Sequence, residues 1–316
     1  MKIIDAHCDA LLKLQMAKRG TFFKKTLDFR DAPEIDTNVL RLQAGGIAVQ
    51  FFAVFIDPDV PSDEKWQHAL EQIDLFFTEV LGKNPEMKHI KSFGEINELK
   101  SGEIGAVLTL EGADCFGNDL MKLNMLYRLG ILSIGLTWNN ANLCADGADE
   151  VRGGGLTLLG KEVVRLNNEH KIFTDVSHLS EKAFWDVMEH ADYPFASHSN
   201  ARALCDHPRN LTDEQITVLI EKGGPLHVVF NPPFINHERI DAKKTDLIRH
   251  MEHICSLGGE KLLGFGSDFD GIENFVDGLK NAADYPFLIK ELLKYYSEET
   301  VRGFAYENFL NNLPVD

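Results

Sequence analysis

Short apolar runs rich in β-branched residues recur along the chain, and most are followed by a stretch in which apolar positions return every three or four residues. The runs fall at about 3–8, 47–56, 105–111, 131–138, 172–178, 194–198, 225–231 and 262–268, which predicts eight strands. Helical spacing occupies 38–44, 64–81, 120–129, 158–170, 180–190, 213–221, 246–257 and 285–296. One of these helices is marked at both ends, by Thr212-Asp213-Glu214 before the apolar run and Gly223-Gly224 after it. Near-continuous apolar strands alternating with helices predict a parallel sheet covered by helices.

Two architectures have this pattern, the closed (β/α)8 TIM barrel and the open doubly wound sheet, and the strand count and chain length favour the barrel. A nucleotide-binding sheet calls for GxGxxG or GxxxxGK[ST] after an early strand, and neither occurs. Gly153-Gly154-Gly155 follows a polar stretch rather than a strand and reads as a surface loop. Residues 57–65 and 139–157 read as long loops. With no repeat, low-complexity tract or linker, residues 1–316 are expected to form a single (β/α)8 catalytic domain.

Charge narrows the function classes. The 32 Lys+Arg against 49 Asp+Glu give 32 − 49 = −17, which argues against a nucleic-acid or anionic-membrane binder. No apolar stretch approaches the roughly 20 residues of a membrane-spanning helix. The first residues, MKIIDAHCDALLKL, are interrupted by Lys2, Asp5, His7 and Asp9 and do not form a signal peptide. The five cysteines are odd in number, widely spaced and without a CxxC pair, so reduced thiols and a cytoplasmic location are expected.

In a barrel, chemistry gathers where strands end at their C-terminal face. The first strand runs into Asp5-Ala6-His7-Cys8-Asp9, whose i, i+2 spacing puts His7 and Asp9 on one side; the competing roles are a helix-capping Asp9 and a core His7. Cys8 points the other way and reads as packing. Glu111 ends an apolar run, where burial is costly without a cation or donors, unless it caps a helix or forms an ion pair at the rim. His178 and His198 each end a strand. LLGFGSDFDGI places Asp268 and Asp270 at the end of the eighth, and spacing does not choose between them. The other histidines (His68, His89, His170, His190, His207, His227, His237, His250, His253) read as surface or structural.

Together the HxD, Glu111, the two histidines and a strand-eight aspartate suit a two-metal hydrolytic centre. Imidazole and carboxylate ligands favour Zn²⁺, with Mn²⁺ or Co²⁺ as substitutes. Two divalent ions are neutralised by Asp9, Glu111, one strand-eight aspartate and a bridging hydroxide. No lysine ends a strand to serve as a carbamylated bridge, since Lys171 begins its strand, so Glu111 is the natural bridge. Metal lowers the pKa of bound water toward about 7 and supplies a nucleophile.

The segments DAHCDAL, LTLEGAD, DVSHLS, FASHSNARALCDHPRN and GFGSDFDG, in this order across almost the whole chain, resemble the membrane (renal) dipeptidase family of the amidohydrolase superfamily. The resemblance implies that His7, Asp9 and Glu111 bind one zinc and Glu111, His178 and His198 the other. It puts Asp268, rather than Asp270, at the catalytic acid/base, and Arg209 at the arginine that holds the substrate carboxylate. It departs at LTWNNAN: Trp138 replaces a histidine that in animal members contacts substrate and stabilises the tetrahedral intermediate. An indole has one N–H and no charge, which leaves that role to Asn139 or a metal and makes Trp138 a pocket wall. The chain also lacks the secretion signal and lipid-anchor tail of animal members and resembles the soluble microbial branch.

The expected activity is hydrolysis of free dipeptides, including those with a C-terminal D-residue, by attack of a metal-bridging hydroxide. The expected partner is a small dipeptide, with no nucleic acid and no membrane, and a homodimer is the arrangement family members often adopt. Residues 57–65, Trp138, Asn139 and Arg152 are candidates for the side-chain pocket. Two other readings are lactam, lactone or deaminase chemistry on the same metals, and a non-catalytic metal-binding barrel.

Overall fold

The computed structural model describes residues 1–236 and 241–314; His237 and the last two residues of the expected 1–316 domain lie outside the described residues. The strands are β1 (Ile3–Asp5), β2 (Ile47–Phe55), β3 (Met87–Ile90), β4 (Ile104–Glu111), β5 (Ile131–Gly135), β6 (Phe173–Asp175), β7 (Pro194–Phe195), β8 (Leu226–Val228) and β9 (Leu263–Phe265). All their ladders are parallel. Spatial order is β7-β6-β5-β4-β2-β1-β9-β8. Between β7 and β8 the Ala196–Leu226 bridge joins the ends, with His227 N–H donating to the Ala196 carbonyl at 2.8 Å. Eight strands therefore close into the (β/α)8 barrel.

The ninth strand, β3, was not expected. It pairs with β4 over Ile104–Val107, and β5 takes over beside β4 from Leu108 onward. Four residues with a polar pair in the middle, Met87-Lys88-His89-Ile90, carry too little alternation to announce a strand. Several barrel strands are shorter than their apolar runs, β6 by the whole of 176–178 and β8 by 229–231. Those trailing residues leave the ladder and build the upper rim.

The expected helices form at Val39–Gly45, Lys65–Leu75 with a π-helical continuation to Leu81, Leu120–Arg128, Leu158–Glu169, Glu181–His190, Asp213–Glu221, Lys244–Ser256 and Tyr285–Leu292. Thr212 and Gln215 cap the helix at 213 reciprocally: the Gln215 N–H donates to Thr212 Oγ1 (3.2 Å) and the Thr212 N–H to Gln215 Oε1 (2.9 Å). A helix at Ala10–Arg19 and two short ones, Glu298–Arg302 and Asn308–Asn311, were missed. Among the described residues no helix is long and apolar enough to cross a membrane, and no disulfide joins any of the five cysteines.

The barrel interior is packed with aromatic rings, as a filled core rather than a pore. Phe173 stands 4.7 Å from Phe195, and Phe309 from the C-terminal segment meets Phe51 at 5.5 Å and Phe173 at 5.8 Å, centroid to centroid.

The choice between Asp268 and Asp270 is made by the turn after β9. Both residues have left-handed backbone, φ +65° and +72°, so strand parity no longer applies to them. Asp270 points inward to the scaffold: it accepts from the N–H groups of Asp36 (2.7 Å) and Thr37 (3.1 Å) and faces Lys13 Nζ at 2.9 Å. Removing it leaves a partly buried ammonium and two main-chain donors short of an acceptor. Asp270→Ala is expected to lower stability by about 3 kcal/mol, the low end for a broken buried pair because Lys13 keeps Asp36. Urea denaturation of the two proteins checks this, and a difference within roughly 0.5 kcal/mol, as for a surface site, contradicts it.

Candidate metal centre

Three of the sequence-predicted residues stand three positions beyond the last ladder residue of their strands: His178 after Asp175, His198 after Phe195 and Asp268 after Phe265. Glu111 is itself the last residue of β4, and His7 and Asp9 follow β1. The rim therefore carries all six toward the barrel axis. Gly271 lets the turn close over them; a Cβ there would stand 2.2 Å from Asp9 Oδ2 and 2.8 Å from Asp268 Oδ1.

Glu111 is the centre of the group. Its Oε2 lies 3.5 Å from His7 Nε2, while Oε1 lies 2.8 Å from His178 Nε2 and 3.7 Å from His198 Nε2. His7 Nε2 is also 3.5 Å from Asp9 Oδ2 and 3.9 Å from Asp268 Oδ1. The His7 and His198 rings stack at 3.9 Å, and the Nε2 atoms of His178 and His198 approach to 2.8 Å. The helix-capping role for Asp9 is not realised: it precedes Ala10–Arg19, but its side chain caps no N–H. Buried Asp9 Oδ1 and His7 Nε2 have no hydrogen-bond partner.

Electrostatics make the same point. Burial opposes the Glu111 carboxylate, yet His7 and His178 outweigh it and hold its pKa well below the usual range. Burial opposes the His7 imidazolium, and Glu111 and Asp9 overcome that and push its pKa well above normal. Asp268 is driven well above the carboxylate range by burial and by Asp9 and Glu111, against the pull of His7. His178 is pushed down to about 3 by burial and Arg209, and His198 well below its usual value by burial and His7. Two neutral imidazoles facing each other amid crowded carboxylates form a donor set that a divalent cation satisfies.

Arg209 is buried, 3% exposed, beside His198. Burial lowers its pKa, opposed by Asp268 and Glu111. Its guanidinium donates from Nη2 to the His198 carbonyl at 3.3 Å and lies 5.4 Å from the Phe234 ring centroid, while Nε has no partner. Unspent donors on a buried cation fit an incoming anion.

A cavity of about 150 Å³ opens over the cluster, lined in part by Leu12, Phe55, Trp138, Asn139, Asn231 and Phe234. That is well below the roughly 300–1,000 Å³ of drug-sized sites and suits a small ligand. Trp138 is half-buried, edge-on to Phe55 at 5.3 Å and 6.1 Å from the His178 ring. Asn139 Oδ1 is 2.7 Å from His178 Nδ1, so its carbonyl orients that imidazole. None of residues 57–65 lines the cavity, and Arg152 turns away to pair with Asp146.

Leu12, Phe55, Asn231 and Phe234 line the cavity without being among the expected residues. They come from four separate segments, and nothing in their local sequence marks them. Asp5 and Asp175, the last residues of β1 and β6, are likewise unexpected and brace the rim: each accepts hydrogen bonds from the N–H two residues ahead and from a serine just beyond the end of the neighbouring strand, Ser267 and Ser197. A signal existed, because Ser267 and Ser197 immediately precede Asp268 and His198.

The sequence profile of the membrane dipeptidase family (peptidase family M19) matches residues 1–314. An uncharacterized protein in the pqqA 5′ region of Klebsiella pneumoniae is 34% identical over 268 residues, 81% of this chain and 97% of that protein. An uncharacterized dipeptidase of Schizosaccharomyces pombe is 30% identical over 329 residues, 98% of this chain and 79% of the relative. The crystal structure of a metallopeptidase from Rhodobacter sphaeroides, liganded with a phosphinate mimic of the dipeptide L-Ala-D-Ala, superposes over 98% of both chains with a TM-score of 0.88 and 27% identity.

Proposed function

The chain belongs to the membrane dipeptidase family and is a metal-dependent hydrolase of peptide bonds, and on that premise we propose that it is a two-zinc enzyme cleaving free dipeptides, including those ending in a D-residue. The observation that carries the reading is the position of Glu111, one carboxylate oxygen toward His7 and the other toward His178 and His198. His7, Asp9 and Glu111 would hold one ion; Glu111, His178 and His198 the other. When bound, such ions polarise the scissile carbonyl and supply a water activated near neutral pH. The partnerless Asp9 Oδ1 and His7 Nε2 support a cation there.

The remaining roles fall to the chain itself. Arg209 receives the terminal carboxylate of the substrate, bidentate and shielded from water, and so selects a free carboxyl terminus over a blocked one. Asp268 takes a proton from the attacking water and returns it to the departing amine. Asn139, its carbonyl committed to His178, keeps its amide N–H groups for the developing oxyanion. Trp138 with Phe55 forms an apolar wall, and the small cavity favours small side chains such as alanine. The L-Ala-D-Ala mimic in the Rhodobacter sphaeroides relative supports that substrate class.

The test combines elemental analysis with hydrolysis of L-Ala-D-Ala, L-Ala-L-Ala and the C-terminal amide of L-Ala-D-Ala, before and after chelation. Zinc at about two ions per chain, alanine release that disappears on chelation and returns with zinc, and a silent amide are expected. Metal-loaded protein that cleaves no dipeptide would refute the substrate; cleavage of the amide at the dipeptide's rate would refute the carboxylate clamp.

A further inference from the structure

Behind the proposed ligand His198 lies a chain of hydrogen bonds whose direction can be worked out by counting protons. Buried Asp175 accepts from the main-chain N–H of Ser177 (3.0 Å) and Ser197 (3.1 Å) through Oδ1, and from the Ser197 hydroxyl through Oδ2. Ser197 Oγ in turn lies 2.7 Å from His198 Nδ1. A hydroxyl has one proton, and a carboxylate accepts only, so that proton points at Asp175. The competing acceptor, Ser177 Oγ at 3.4 Å, is farther and uncharged. Ser197 therefore shows His198 a lone pair, and the ring must place its hydrogen on Nδ1. Nε2 is left bare, facing Glu111 Oε1 at 3.7 Å and His178 Nε2 at 2.8 Å.

We propose that Asp175, acting through Ser197, is a positioning residue that sets the tautomer of His198 and so makes its Nε2 a metal ligand. The inference rests on the reading of His198 as a ligand. Hydrogen-bond partners of a ligating imidazole commonly fix its tautomer and basicity. Here the partner is a carboxylate working through a hydroxyl. Asp5 and Ser267 repeat the carboxylate–serine contact on the other side of the barrel, at 2.8 Å to Ser267 N and 2.6 Å to Oγ. There, however, the serine oxygen accepts from the Phe269 N–H (3.1 Å) and touches no imidazole, so only the Asp175 copy can govern a ligand.

Asp175→Asn inverts the relay. Two N–H groups point at Oδ1, so the amide must keep its oxygen there and turn its NH₂ toward Ser197. The Ser197 proton then points at His198 Nδ1, which becomes the acceptor, and Nε2 carries the hydrogen. Zinc affinity at the site that His198 would share with Glu111 and His178 is expected to fall about 10–100-fold in Asp175→Asn, less in Ser197→Ala, and not at all in Ser197→Thr, which keeps the hydroxyl. The double variant Asp175→Asn/Ser197→Ala should bind zinc like Ser197→Ala alone, better than Asp175→Asn. Imidazole ¹⁵N NMR of the zinc-free full-length protein should show bare Nε2 on His198 in the parent and protonated Nε2 in Asp175→Asn.

A double variant as weak as Asp175→Asn or weaker, or an unchanged tautomer, overturns the proposal and leaves Asp175 a scaffold residue. His198→Ala separates this from failure of the ligand reading. If it keeps both zinc ions, His198 is no ligand and both readings fall; if it loses one while the double variant shows no rescue, this proposal alone fails.

Discussion

Glu111→Gln is expected to remove metal from both halves of the site and to lower kcat/KM for L-Ala-D-Ala by about 10²- to 10⁴-fold, the equivalent of roughly 3–5 kcal/mol for a buried charge left unpaired. Glutamine has the same shape but one oxygen. Whichever way the amide turns, its NH₂ faces either His7 or the His178–His198 pair, and a donor cannot ligate a cation. Elemental analysis of the variant beside its kinetics checks the expectation. Full zinc content with unimpaired turnover would mean that Glu111 is a structural carboxylate and that the centre has another bridge.

Asp268→Asn is expected to keep its zinc and lose kcat by about 10²- to 10⁴-fold, the range for a general acid–base group. The side chain stands beside His7 (3.9 Å) and Asp9 but outside the proposed ligand set, so Asp268→Asn removes no ligand and metal binding should survive it. Proton transfer should not, since an amide neither takes a proton from water nor returns one to an amine. In the pH–rate profile the limb belonging to this group should disappear, with KM changed less than kcat. Retention of more than about a tenth of the parent kcat would place the proton shuttle elsewhere. Asp270→Ala, which lowers stability without touching the cluster, separates the two aspartates by experiment as their contacts do.

Most of the barrel was legible because burial on both faces leaves a strand with an almost uninterrupted apolar run, and each closing helix has a 3.6-residue period. Glu111 stood out for the same reason, as a charge directly after such a run. His7 and Asp9 were visible as a pair, although the strand-parity argument for them does not hold: β1 ends at Asp5, and both lie beyond the ladder. The helix Ala10–Arg19 was overlooked because no side chain caps its first turn. Strand β3 escaped because four residues carry less than two full alternations.

What the chain determined by itself was the succession of strands and helices, the rim on which chemistry would gather, and the kinds of ligand available there. These are local properties, set by period, burial and residue type. Tertiary structure decided which of those residues meet. His178, Asp268 and Asp270 turn through left-handed φ of +71°, +65° and +72°, so side-chain direction past the strand ends no longer follows from counting. Asp5 reaches Ser267 across 262 residues, Asp175 reaches Ser197 across 22, and Asn139 reaches His178 across 39, contacts that exist only once the barrel has closed. Asp268 was separated from Asp270 by the contacts of Asp270 with Asp36, Thr37 and Lys13, and the Ser197 hydroxyl was turned by Asp175 so as to face the adjacent His198 with its lone pair, because closure fixes the distances that a linear pattern leaves free.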